Sequence, residues 1–299
     1  MKRLKKKRTS KNRPPASPKQ ENHEHVSFIQ AGVLGEAIFA SGLVPPVQFT
    51  IRTPGGIILQ PSYLGTEGNI APPASLMRML KPGVVLLPSG CADYGSQAEL
   101  IGEIKSFIHR YSETSPFWED IEAYYVLMTW VYDRFTAVPY FRVLGEPGTG
   151  KSRTLQIMGH LSYKGIFAGG AVTSSPLFRL IEVYRGTLVI DEADYKASAS
   201  WGDIIKILNC GYMRGVPVLR SEKVGDTFEP RAYDVYGPKI IGKRKRFEDR
   251  ALETGCLTLQ TKEYDVRREI PRKWTPGCME EAEEQRDHLR GGGCGSRLV

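Results

Sequence analysis

Eight consecutive residues, Gly145, Glu146, Pro147, Gly148, Thr149, Gly150, Lys151 and Ser152, match the spacing G-x-x-x-x-G-K-[ST] throughout. A phosphate chain is polyanionic, and a loop holds it only when several backbone N–H groups converge. Glycines at 145, 148 and 150 permit that conformation and a close approach of backbone to ligand. A helix starting at Lys151 would add its positive end. Lys151 itself supplies a charge for the β- and γ-phosphates, and the Ser152 hydroxyl is suited to Mg²⁺. The competing explanation is a chance match in a glycine-rich loop. A phosphate loop also requires a strand before it and a helix after it. "YFRVLG" (140–145) has strand character, and 151–161 has helical spacing.

Such a loop needs an acidic partner at the end of a neighbouring strand. "TLVIDEAD" (187–194) provides one, forty residues after Lys151. Asp191 is expected to hold Mg²⁺ through its water shell, and Glu192 to polarise a water for in-line attack on the γ-phosphate. An acidic helix cap after a buried strand is the plainer reading. The two stretches together point to ATP as cofactor, Mg²⁺ as metal and hydrolysis as the reaction. The letters DEAD do not make this an RNA helicase of that name, because too little chain follows for a second RecA-like domain. Asp194 reads as a cap or surface residue, and a glutamate beside Asp191 suits water activation better than small-molecule phosphorylation.

Regular alternation surrounds these residues. After the strand at 140–145 and the helix at 151–161 come a strand at 165–170, a helix from Ser175 to Gly186, and the acidic strand at 187–191. A helix carrying Trp201, Ile204, Ile205 and Leu208 follows, then the strands "KIIG" and "CLTLQT". Strands alternating with helices predict an α/β fold with a parallel sheet flanked by helices. Ahead of it lies a helical lead-in (96–139). There Ser96 and Glu99 form a capping box, and a second helix begins after Pro116. Residues 26–95 read as a small module, with a hairpin "VQFTIR-TPGG-IILQ" and a third strand "VVLLP" at 84–88.

The chain has 299 residues and a formal charge of +8. Residues 1–20 contain nine Lys or Arg and no acid, so removing them leaves 32 basic against 33 acidic residues. The basicity therefore belongs to one end. A tail over 1–25 is expected to be disordered, either a polyanion-binding arm or a solubilising end. No apolar segment follows it as in a signal peptide, and "AYYVLMTWVY" (123–132) is too short to span a bilayer. The five cysteines (91, 210, 256, 278, 294) are scattered without C-x-x-C, which suits a reducing cytoplasm. His23-Glu24-His25 is a weak metal-like fragment with no third ligand nearby in sequence.

The order of phosphate loop, Asp-Glu strand, helix, further strand, then an Arg shortly before a last strand resembles the AAA+ superfamily of P-loop ATPases over roughly 96–262. "FRVLGEPGTGKSRTL", "YRGTLVIDEAD", "ILNCGYMRGVPVLR" and "GPKIIGKRKRFEDRALETGCLTL" are more closely similar to uncharacterised prokaryotic and mobile-element ATPases. Some of those are helicase-like and associated with primases. The resemblance implies a sensor residue at Lys243 or Arg244, although a small polar residue is commoner there. It implies that Arg250 is an arginine finger inserted into a neighbouring subunit's site; the local alternative pairs Arg250 with Glu248 or Glu253. The stretch 217–238 reads as a hairpin with Arg220, Lys223 and Arg231 near its tip, which the resemblance makes a DNA-touching element and which is otherwise a plain exposed hairpin. The resemblance also implies a helical lid after residue 262. Arg267 and Arg268 come too early for the lid arginine. The helix at 280–290 runs into "GGGCGSRLV", so the C-terminal segment (263–299) reads as truncated or altered.

The expectation is an ATP-hydrolysing, helicase-like or DNA-associated motor. Its partners would be ATP, single-stranded or duplex DNA and further copies of itself, with no membrane. The alternative is a nucleotide-dependent switch or scaffold that remodels protein partners without moving on nucleic acid.

Overall fold

The computed structural model describes residues 22–53, 55–66, 68–169, 174–191, 199–262 and 266–296. Among them the chain begins with β1 (Asn22–Glu24), β2 (Ser27–Gln30), β3 (Val33–Phe39), β4 (Val47–Thr53), β5 (Gly56–Gln60), β6 (Tyr63–Leu64), β7 (Asn69–Ala71) and α1 (Met77–Leu80). Strands β2-β3-β4-β5 form an antiparallel sheet in that order, and the expected hairpin is β4–β5. Two expectations change here. Residues 22–24, expected within the tail, form β1 and pair in parallel with β7, while residues 1–21 lie outside the described residues. "VVLLP" is not a strand: Val85 makes a single antiparallel bridge to Ile166, so this stretch touches the larger sheet at one point.

Helices α2 (Gln97–Tyr111) and α3 (Pro116–Trp130) follow, and the Ser96–Glu99 capping box is present in both directions. Then come β8 (Tyr140–Leu144), α4 (Lys151–Leu161), β9 (Ile166–Ala168), α5 (Ser174–Tyr184), β10 (Leu188–Ile190) and α6 (Ala199–Gly211). A hairpin of β11 (Val218–Val224) and β12 (Thr227–Tyr233) precedes β13 (Lys239–Lys243), α7 (Arg250–Thr254), β14 (Cys256–Gln260) and α8 (Pro276–Ser296). The α5 helix closes through Arg185 in the left-handed region (φ 47°), one residue before the glycine expected to stop it.

Five strands form an all-parallel sheet in the order β14-β8-β13-β10-β9. Alternation along each strand sends side chains to two cores. Tyr140, Leu188, Ile190 and Ile241 join α5, α6 and the N-terminal antiparallel sheet. Phe141, Val143, Val189 and Ile240 join α2, α3, α4 and α8. The segment 26–95 therefore shares a core with the parallel sheet, since Phe28 and Phe49 belong to the same buried cluster as Ile166 and Phe178.

The C-terminal helix is longer than the sequence pattern suggests and runs through Gly291. A Cβ at Gly291 would stand 2.0 Å from the Ala92 carbonyl oxygen, so only glycine lets α8 lie against this segment. One turn earlier the Asp287 carboxylate accepts from the amides of Ser89 and Gly90, both at 2.9 Å. Gly291, the first residue of the glycine run, is therefore a packing residue.

Candidate functional site

The glycine-rich loop joins the C-terminal end of β8 to the first turn of α4. Gly148 (φ 85°) and Gly150 (φ 90°) both occupy the left-handed region, where any other residue would be strained. Gly150 is the N-cap of α4, so the turn delivers Lys151 and Ser152 directly to the start of the helix. A helix leaves the N–H groups of its first turn without internal acceptors and carries partial positive charge there. Lys151 Nζ folds back and donates to the Glu146 carbonyl at 2.7 Å, and Thr149 Oγ1 donates to the same oxygen at 2.8 Å. The ammonium thus lies across the loop, while Glu146, Pro147 and Ser152 are exposed.

Asp191 directly follows β10. That strand is separated from β8 by β13, whose Lys243 is in register with Leu144, and the Gly145 amide donates to the Lys243 carbonyl at 3.2 Å. Asp191 reaches the α4 side across a gap in β13. A Cβ at Gly242 would lie 3.2 Å from Asp191 Oδ1 and 2.6 Å from Leu155 Cδ1, and Leu155 is one turn beyond Lys151. The absence of a side chain at Gly242 lets the carboxylate and the first turns of α4 converge. Glu192 and Asp194 lie outside the described residues.

Thr261 carries no motif signal in the sequence, where it is the last letter of "CLTLQT". Its amide donates to the Leu144 carbonyl at 2.7 Å, and its hydroxyl shares a hydrogen bond with Thr149 Oγ1 at 2.7 Å. A Cβ at Gly145 would sit 2.0 Å from Thr261 Oγ1, so Gly145 is required by this buttress as well as by any ligand. Beside Thr149 and Gly150 opens a cavity of about 1140 Å³, walled by Tyr111, Trp118 and residues of the stretches 258–262 and 266–272. Arg267, on that wall, donates to Glu113 Oε2 (2.9 Å) and to the carbonyls of His109 (2.7 Å) and Ser112 (2.9 Å). It pins the 266–272 segment to the end of α2.

The basic run 243–246 divides by role. Lys243 is buried with its ammonium 5.0 Å from the Phe247 ring centre, and Arg246 pairs with Glu253 at 2.9 Å; Arg244 and Lys245 are exposed. Arg250 is the exposed first residue of α7. Its proposed local partner Glu253 is held elsewhere, by bidentate contact with buried Arg142 of β8, by Arg246 and by the Phe247 amide. Hydrogen bonding to Arg142, despite an opposing cost of burial, brings the Glu253 carboxyl down to about 2.

The hairpin forms as expected, but two of its cations are not at the tip. Arg220 and Arg231 face each other in register, four pairs from the Val224–Thr227 end. Arg220 pairs with Asp203 of α6 at 3.1 Å and lies over Phe178; Arg231 pairs with Glu182 of α5 at 2.8 Å. These ion pairs anchor the hairpin to the body. Lys223 is next to the turn, opposite exposed Phe228.

No family model matches the chain, and no curated protein does. Two solved chains, both described as the apo A form of the NrS-1 C-terminal region, align with 87% and 86% of this chain. Their identities are 11% and 9% and their TM-scores 0.37 and 0.35, a likeness too low to assign a fold. This chain spans 66% and 65% of their lengths. No helix among the described residues is long and apolar enough to cross a membrane.

Proposed function

We propose that the chain is a P-loop ATPase of AAA+ type that binds ATP with Mg²⁺ and hydrolyses it. The observation that carries this reading is the convergence at α4: a loop with two left-handed glycines ends at Lys151 and Ser152, and Asp191 approaches the same helix over Gly242. The residues present fit the group. The loop has glycine at its two left-handed positions, an ammonium held by a loop carbonyl, and a hydroxyl and a carboxylate on the adjoining elements. Mg²⁺, when bound, neutralises charge on the phosphates.

In this reading Lys151 leaves the Glu146 carbonyl to meet phosphate oxygens, and the α4 amides hold the same anion. Ser152 and Asp191 would hold Mg²⁺. Glu192 accepts a proton from the attacking water. Arg250, exposed and not engaged by Glu253, acts on a neighbouring copy in a homo-oligomer. The cavity beside Thr149 receives the nucleoside. ATPase assays with purified protein test the proposal, and absence of ATP turnover with every polymer added would overturn it.

The leading role is a helicase-like motor on DNA, supported by the nine cations within residues 1–20. One observation favours the alternative, a switch that remodels protein partners: Arg220 and Arg231 are neutralised by Asp203, Glu182 and Glu222. Stimulation of turnover by single-stranded or duplex DNA selects the motor, and indifference to both selects the switch.

A further inference from the structure

Strand β5 is an open edge without the usual protection. Sheet order places it last in β2-β3-β4-β5, so one side of its backbone faces no strand among the described residues. Edge strands generally carry a charge, an internal proline or a bulge that discourages further pairing. Gly56-Ile57-Ile58-Leu59-Gln60 has none of these, and its register with β4 is unbroken. Ile57, Ile58 and Leu59 are 48%, 41% and 47% exposed. Successive side chains alternate between faces, so apolar surface is left open on both sides of the sheet. Ile51, paired with Ile58 one strand inward, is only 1% exposed. Burial thus falls steeply from Ile51 to Ile58 across a single strand spacing.

We propose that β5 is an interface strand, and that its occupant is β5 of a second copy, paired antiparallel about a two-fold axis at Ile58. Three features select this occupant. The strand is self-complementary: in that register Ile57 faces Leu59 of the other copy, Ile58 faces its own equivalent, and Gly56 faces Gln60. Apolar cross-strand pairs of this kind stabilise a sheet. The strand itself carries no charge, and in the sequence Arg52 is the only charged residue between Glu36 and Glu67. Nucleic acid or an acidic peptide would find a single cation, Arg52 one strand inward opposite Ile57, whereas a second copy meets no like charge along β5 itself. The unpaired stretch is also short and ends at Pro61, which cannot donate to a ladder, so a strand of equal length satisfies it. A two-fold interface needs only one self-matching patch. The result joins two four-stranded sheets into one of eight strands.

Cross-linking tests the register. Ile58→Cys places two thiols across the axis, within reach of a disulfide under mild oxidation. Gln60→Cys places them roughly 13 Å apart along the ladder, by four residues of strand rise, beyond disulfide reach. The expected result is a covalent dimer from Ile58→Cys only, above the background of unsubstituted protein. Independently, Ile58→Lys puts two ammonium groups face to face at an exposed position. It should halve the mass measured by sedimentation relative to unsubstituted protein at the same concentration, with the folded circular dichroism spectrum retained. The proposal is overturned if Ile58→Cys gives no dimer above background, if Gln60→Cys cross-links equally, or if Ile58→Lys keeps the unsubstituted mass. A partner of another kind, or an edge that stays open, would produce that last result.

Discussion

Arg290 Nη1 lies 2.9 Å from Glu36 Oε2, although 254 residues separate them and both side chains are almost fully buried. Glu36 belongs to the antiparallel sheet and Arg290 to the C-terminal helix, while the Tyr163 hydroxyl, in the turn between α4 and β9, donates to the other carboxylate oxygen. One carboxylate therefore ties together three parts of the chain that are far apart in sequence. Removing Arg290 leaves that carboxylate the Tyr163 hydroxyl and the buried Lys164 ammonium, 4.0 Å away, so the loss falls at the lower end of the about 3–5 kcal/mol for a broken buried pair. Arg290→Ala is expected to lower unfolding free energy by about that amount in urea denaturation, and a loss below ~1 kcal/mol would make the pair incidental.

Lys151→Ala should remove ATP binding in calorimetry without altering stability by more than ~0.5 kcal/mol, because among the described residues the ammonium donates to a loop carbonyl alone. Glu192→Gln should keep binding and reduce turnover by about 10²–10⁴-fold, the usual contribution of a positioned base. Equal turnover in the two proteins would assign the base elsewhere.

Gly242→Ala addresses the convergence at α4. Its Cβ would enter a space bounded by Leu155 and the Asp191 carboxylate. Leu155 can yield by a side-chain rotation, so overpacking should cost about 1–3 kcal/mol. The informative quantity is the Mg²⁺ dependence of ATP affinity measured by titration. It should weaken if Asp191 is displaced, and an unchanged dependence would detach Asp191 from the metal.

Glu122 of α3 is 1% exposed, and neither carboxylate oxygen has a hydrogen-bond partner among the described residues. Burial, with a further contribution from nearby Glu119, pushes its pKa up to about 8. The folded state then holds a proton that the unfolded state releases above the ordinary carboxyl value of about 4.5. Stability must fall as pH rises between those values and level off above about 8. Glu122→Gln should be neutral at acid pH and increasingly stabilising up to that plateau, by a few kcal/mol at most. Thermal melts across the range provide the check, and a pH-independent difference would contradict a buried neutral carboxyl.

Arg250→Ala should leave ATP binding intact and cut turnover by up to ~10³-fold if the arginine acts on a neighbour's phosphate. Mixing it with Lys151→Ala should restore activity at interfaces joining an intact finger to an intact loop. Full activity of Arg250→Ala alone, or a mixture that stays inactive while subunits exchange, would return Arg250 to an ordinary surface role.

The elements around the loop were legible because their signals are local. Ser96 and Glu99 cap α2 within four residues, and the 3.6-residue and two-residue periods of α4 and β8 are set by each element's own burial. The loop motif is local as well, since Gly148 and Gly150 answer to their own backbone angles. Other features arise only when segments distant in the chain meet. Nothing in the order of residues announces that β13 lies between β8 and β10, or that Gly242 clears a path for Asp191. The hairpin arginines carry the composition of a polyanion-binding tip, yet Asp203 and Glu182, brought alongside by α6 and α5, neutralise them. Residue type determines which charge is present, whereas packing determines which countercharge it finds. Thr261 against Gly145 and Arg290 against Glu36 belong to that second class, because a contact across more than a hundred residues has no periodicity by which to be read.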